Sequence, residues 1–151
     1  MSLKLNLQIA SKTKSVPRSS QFRKWVKTVI AEHFANVELT IRIVGTKESA
    51  ALNKKYRKKS KATNVLAFPL TIKPQFNSPL LGDIVICAPI VIKEAKLYNK
   101  DPLAHWAHIV IHGSLHLLGY NHTTNKAAII MERLESEILQ QLGYPPPYED
   151  K

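Results

Sequence analysis

Three histidines in the stretch HGSLHLLGYNH, namely His112, His116 and His122, stand at a spacing that lets their imidazoles share one metal ion. His112 and His116 are four residues apart, so in a helix both rings leave one face about a turn from each other. His122 lies six residues further on, about 9 Å along the axis if the helix continued, so the chain must turn back to bring it in. Gly119 is placed for that turn, because glycine takes the left-handed conformation that ends many helices. Three neutral imidazoles with a free fourth position describe a catalytic zinc site, whereas a structural zinc usually has four ligands and several cysteines. The skeleton H-x-x-x-H-x-x-G-x-x-H is that of a class of zinc hydrolases.

His105 and His108 extend the same stripe, and His108 is also four residues from His112. His108 and His116 differ by about 12 Å of helical rise, so the pair on one ion is either 108/112 or 112/116. Only the second pair leaves a glycine-terminated return for a third histidine. His105 and His108 are therefore read as packing beside the ligands or orienting them, and His33 as a surface or capping residue.

A zinc protease with this skeleton carries glutamate directly after its first histidine, as the general base. Here Gly113 stands there, and no carboxylate lies between His105 and His122. A metal hydrolase lacking that proton acceptor is better suited to a phosphodiester, where stabilising charge dominates. The charge distribution agrees. Residues 1–61 hold 15 basic and 3 acidic side chains, net +12, and residues 62–151 hold 7 and 8, net −1. So polarised a surface steers anionic partners, nucleic acid first and anionic membrane second, to one side. The densest run, NKKYRKKSK, places Lys54, Lys55, Lys58, Lys59 and Lys61 where they could neutralise RNA phosphates with little sequence preference. Arg57 differs in kind, since its planar guanidinium can hold a phosphate in a bidentate manner and stabilise developing charge. Asp83 reads equally as a group that orients a ligand or contacts a partner and as a turn residue.

The elements that must position these groups follow from periodicity. Leu3, Leu5, Leu7 and Ile9 alternate as in a strand with one buried face, and VELTIRIVG (37–45) does the same. Between them, Phe22, Trp25, Val26, Val29, Ile30 and Phe34 mark a helix beginning near Ser20. A basic helix is expected over 47–59, strands over 65–70 and 81–88 joined by a loop containing proline and asparagine, then helices over 90–99, 102–118 and 124–142. With strands early and helices late, the expected fold is α+β: one domain over 1–151, with about five helices packed on a small mixed sheet of about four strands and a zincin-like three-histidine metal site. The longest apolar run, IVICAPIVI, is too short to span a bilayer, and the alternating N-terminus does not read as a signal peptide. The single cysteine, Cys87, lies in that run and is expected to be a buried thiol of a protein from a reducing compartment.

The segments AHWAHIVIHGSLHLLGYNH, LNKKYRKKSKATNVLAFP and LLGDIVIC together resemble the YbeY family of bacterial endoribonucleases, over nearly the whole chain. The resemblance implies a cytoplasmic, metal-dependent, single-strand-specific endoribonuclease, usually assigned zinc, that helps mature small-subunit ribosomal RNA and acts in ribosome quality control. It implies His112, His116 and His122 as ligands of one zinc ion per chain, and Arg57 as the functional arginine. The sequence departs from the family at Asn121, where G-Y-D-H has aspartate, and in RKKSKATNVLAF, where R-G-K-D-x-P-T-N-V-L-S-F would be closer. Losing the aspartate removes a charge beside His122. The expected partners are single-stranded RNA, ribosomal RNA and the small ribosomal subunit, with no membrane and a monomer as default. Two rival functions are a non-catalytic RNA-binding ribosome-assembly factor with a structural zinc, and a zinc metalloprotease.

Overall fold

The computed structural model describes residues 2–70 and 80–148. The loop expected between the third and fourth strands and the end of the Pro-rich tail lie outside the described residues. The order is β1 (Ser2–Ile9), α1 (Ser19–Ile30), β2 (Asn36–Val44), α2 (Thr46–Arg57), β3 (Val65–Pro69), β4 (Leu80–Cys87), α3 (Ala88–Leu97), α4 (Pro102–Leu117) and α5 (Asn125–Gln141). This is the α+β arrangement read from the periodicities. The first helix is shorter than expected: α1 stops at Ile30, leaving His33 exposed in the following turn and Phe34 packed on the core from outside the helix.

The four strands form one sheet in the order β1-β2-β4-β3. β1, β2 and β4 run parallel, and β3 pairs antiparallel with β4, from Val65 opposite Ile86 to Pro69 opposite Gly82. β4 is thus inserted between β2 and β3, which puts β3 last in the sheet among the described residues. β1, the other edge, buries only Leu3 fully, and its Ile9 is half exposed.

Alternation divides the sheet into two faces. Leu39, Ile41, Ile43, Ile84 and Ile86 are fully buried with Phe22 and Val26 of α1 and Val110 and Ile111 of α4. Edge-to-face contacts of Phe22 with Trp25 and Trp106, at 5.7 and 5.9 Å, join α1 to α4. On the other face Val44, Leu66, Val85 and Cys87 form a smaller cluster with Leu52 of α2 and Ile90 of α3. Burial pushes the Cys87 thiol up, so it stays protonated and inert.

α4 is the central helix, buried along nearly its whole length. Asp101 caps it by accepting a hydrogen bond from the Ala104 amide, and Pro102 opens it. It lies very close to the sheet at Gly113, where a Cβ would come within 2.9 Å of Ile84 Cγ2 and 3.4 Å of Val65 Cγ2. Among the described residues no helix is long and apolar enough to cross a membrane.

Candidate metal centre

His112 and His116 of α4 look into a cleft beside β3, and Gly113, the residue that follows His112, packs against Ile84 and Val65 of the sheet. The helix ends in a pair of C-terminal hydrogen bonds, Gly119 N–H to His116 C=O (3.0 Å) and Tyr120 N–H to Leu115 C=O (3.1 Å). Gly119 has φ +105°, the left-handed region that a side chain would disfavour. The chain doubles back there and returns His122 against α4. Asn121 accepts hydrogen bonds from the Thr123 amide and hydroxyl at 3.0 and 2.7 Å, so its carboxamide closes this turn.

The result is a group of ring nitrogens from His112, His116 and His122 all within 4.8 Å of one another. The Nε2 atoms of His112 and His116 lie 3.1 Å apart, near the roughly 3.3 Å that two nitrogens hold on one tetrahedral zinc. The rings of His112 and His122 stack with centroids 4.9 Å apart. Burial, and then the neighbouring His112 and His122, press the His116 pKa down to about 4, which keeps it neutral near pH 7 as metal ligation requires.

Behind these rings sits a group that the motif does not contain. Glu135 of α5 is fully buried, with Oε2 2.5 Å from His112 Nδ1 and Oε1 3.5 Å from His108 Nε2. Burial opposes its ionisation, but hydrogen bonds from His108 and His112 outweigh that and hold its pKa at about 2. Being ionised, it can only accept, so the short contact puts the proton on His112 Nδ1 and leaves the Nε2 lone pair free to face His116. The second Glu135 oxygen, Oε1, has among the described residues only the long 3.5 Å contact with His108. The donor set fits a zinc ion: three imidazoles, one oriented by a buried carboxylate that offsets the ion's charge.

His108 and His105 are buried beside this pair. His108 Nε2 meets the Tyr148 hydroxyl at 3.2 Å, and its pKa is lowered, first by burial, against the opposing pull of Glu135. His105 Nε2 meets Glu94 at 2.9 Å, and Asn64 donates to the same carboxylate at 3.2 and 3.3 Å.

The three histidines form one wall of a cleft of about 650 Å³ whose other wall is Tyr56, Arg57 and Thr63 to Phe68. The segment beyond α2 is pinned there by Asn53 to Lys61 C=O (2.8 Å), Ser49 to Thr63 C=O (2.9 Å) and the Cys87 amide to Asn64 C=O (2.9 Å). Arg57 ends α2 and is exposed into this cleft. Lys54, Lys55, Lys58, Lys59 and Lys61 are exposed around it without lining its walls. The basic helix is also shorter than expected: Lys58 takes φ 60° as its C-cap, so Lys58 and Lys59 follow the helix rather than ride on it. No carboxylate lines the cleft among the described residues. Asp83 is exposed on the opposite sheet face, beside a second cleft with Thr40 and Arg42, and does not form a turn.

Sequence reasoning missed Glu135, although one signal pointed to it. Met131, Glu135 and Leu139 repeat every four residues as the buried stripe of α5, and a charge inside such a stripe needs a partner.

Two comparisons bear on this arrangement. The family model described as endoribonuclease YbeY matches residues 6–143. A solution structure of TM1509 from Thermotoga maritima is similar in fold, with TM-score 0.57 and 22% identity over 95% of this chain and 99% of that one.

Proposed function

Because this chain belongs to the YbeY endoribonuclease family, with a role in ribosomal RNA processing, we propose that it is a cytoplasmic, zinc-dependent endoribonuclease specific for single-stranded RNA. On this reading it acts in small-subunit ribosomal RNA maturation and ribosome quality control. The observation that carries the reading is the convergence of the His112, His116 and His122 ring nitrogens at the foot of a cleft bordered by an arginine.

These three histidines would hold one zinc ion per chain, and the ion would supply Lewis acidity toward a phosphoryl oxygen. Glu135 holds His112 in the tautomer that presents Nε2, and its buried negative charge balances the cluster. Arg57 binds the phosphate through its guanidinium and stabilises the charge that accumulates in the transition state. The neighbouring lysines hold the flanking phosphates by charge alone. Gly113 weighs against the protease reading. Its place against Ile84 leaves no room for a glutamate, and no cleft residue among those described offers a carboxylate base.

Elemental analysis combined with an RNA-cleavage assay on wild type, Arg57→Ala and His116→Ala tests the reading. Zinc near one equivalent, with cutting lost in both variants and in chelator, is expected. Zinc-loaded wild type that binds RNA and never cuts it would support an assembly factor instead. Equal cutting by all three proteins would indicate a contaminating nuclease. A 2′,3′-cyclic phosphate end would identify the RNA 2′-hydroxyl as the attacking group.

A further inference from the structure

Tyr56 is 54% exposed, and among the exposed large apolar side chains of the described residues it alone lines the three-histidine cleft. The reason lies in α2. Ser49, Asn53 and Tyr56 continue one stripe at helical spacing; Ser49 and Asn53 are buried and bonded to the Thr63 and Lys61 carbonyls, but the ring of Tyr56, one turn further on, stays exposed. β3 supplies one brace: the Phe68 ring meets Tyr56 at 65° with centroids 5.0 Å apart. That contact limits the ring's rotation while leaving most of it open, so the aromatic plane is oriented before anything binds.

Its neighbours are cationic. Lys55 Nζ lies 5.2 Å from the ring centroid, and Arg57 follows directly in sequence on the same cleft wall. An exposed aromatic plane between side chains that bind phosphate is the combination by which proteins hold unpaired nucleotides: the ring stacks on the base and the cations take the backbone. Resting on the endoribonuclease reading above, we propose that Tyr56, braced by Phe68, is a stacking shelf that takes an unpaired nucleobase of the RNA next to the phosphate held by Arg57.

This shelf gives the cleft a reason to select single strands. A base in a duplex is already stacked and paired on both sides, so it cannot reach the ring without first being extruded. The Lys55 ammonium now occupies one approach to the ring, and its flexible stem lets it move to the adjoining phosphate when a base arrives. Tyr56 and Phe68 also border the second cleft, where Glu48 is paired with Arg42 and Asp83 is exposed, but on the histidine side the described lining holds no carboxylate for a peptide's lysines and arginines, and Arg57 there complements a polyanion.

The test uses full-length protein with Tyr56→Leu, which keeps bulk but removes the aromatic plane, and Tyr56→Trp, which restores one. A fluorescent single-stranded oligoribonucleotide, the same strand with abasic sites, and its duplex are titrated in chelator, where cutting is arrested; cleavage is then followed with zinc. Tyr56→Leu should weaken single-strand binding and raise KM by roughly 5- to 150-fold, the range expected for losing one base stack. The abasic strand and the duplex should bind both proteins alike, and Tyr56→Trp should recover the lost affinity. Zinc content and melting temperature of Tyr56→Leu confirm that the site is intact. If wild type cuts RNA but Tyr56→Leu matches it in Kd, KM and strand preference, the shelf is overturned and the endoribonuclease reading survives. If wild type neither binds nor cuts RNA, both fall. If Tyr56→Leu loses only binding to an unfolded polypeptide, the ring serves a protein partner and the proposal is wrong.

Discussion

His112 Nδ1 lies 2.5 Å from Glu135 Oε2 across the interface of α4 and α5, and this contact turns the opposite nitrogen of the ring toward His116. The imidazole is thereby oriented as a ligand before any metal arrives. Glu135→Gln, which retains shape but loses charge, should weaken zinc binding by roughly 10- to 100-fold. Competition against a chromophoric chelator measures this directly. Wild-type affinity in the variant would remove Glu135 from any account of the centre.

Gly113 sits where a Cβ would come within 2.9 Å of Ile84. Gly113→Glu, which restores the protease spelling of the motif, should destabilise the fold by about 3 kcal/mol, because the position is buried and a side chain there collides with Ile84. It should also confer no peptidase activity. Urea denaturation with a casein-cleavage assay checks both halves.

Lys58 adopts φ 60° at the end of α2, at the position where the family pattern has glycine. A side chain in the left-handed region costs on the order of 1 kcal/mol relative to glycine, so Lys58→Gly should stabilise the protein and raise Tm by about 2–4 °C. Differential scanning calorimetry gives the answer, and an unchanged or lower Tm would contradict it.

Acid should weaken the fold partly through Glu94. Burial disfavours its charged form, but hydrogen bonds from His105 and Asn64 outweigh this and hold its pKa below the ordinary 4.5. A carboxylate depressed on folding stabilises the native state above its unfolded pKa, and that contribution is lost as pH falls through the lower folded value. Between about pH 5 and pH 3 the wild type should therefore lose more stability than Glu94→Gln. Melting curves in chelator, which remove any contribution from metal release, test this; parallel pH profiles would refute it.

The legible part of the centre was local. His112 and His116 share a face because four residues make about one helical turn, and Gly119 ends the helix through hydrogen bonds spanning only Leu115 to Tyr120. Both features depend on neighbours within a few residues, so spacing alone predicted the doubling back of His122. The alternation of β2 and the buried stripe of α1 were readable for the same reason, whereas β1 forms as a strand but buries only Leu3 because it lies at the sheet's edge. The ends of α1 and α2 were not, because Phe34 and the lysines after Arg57 continue a plausible helical pattern after the backbone has left it.

What periodicity could not supply was the pairing of distant segments. Nothing in the individual strands says that β4 enters between β2 and β3, yet that order puts β3 last among the described strands and sets Tyr56 and Arg57 opposite the histidines. Nor does the motif reveal its carboxylate, which arrives from 23 residues beyond His112. The sequence by itself determined three imidazoles on a helix that turns back and a basic segment beside an arginine. Tertiary structure decided which carboxylate supports them and which wall they face, because those choices depend on how whole elements bury one another's surfaces rather than on the geometry of a single turn.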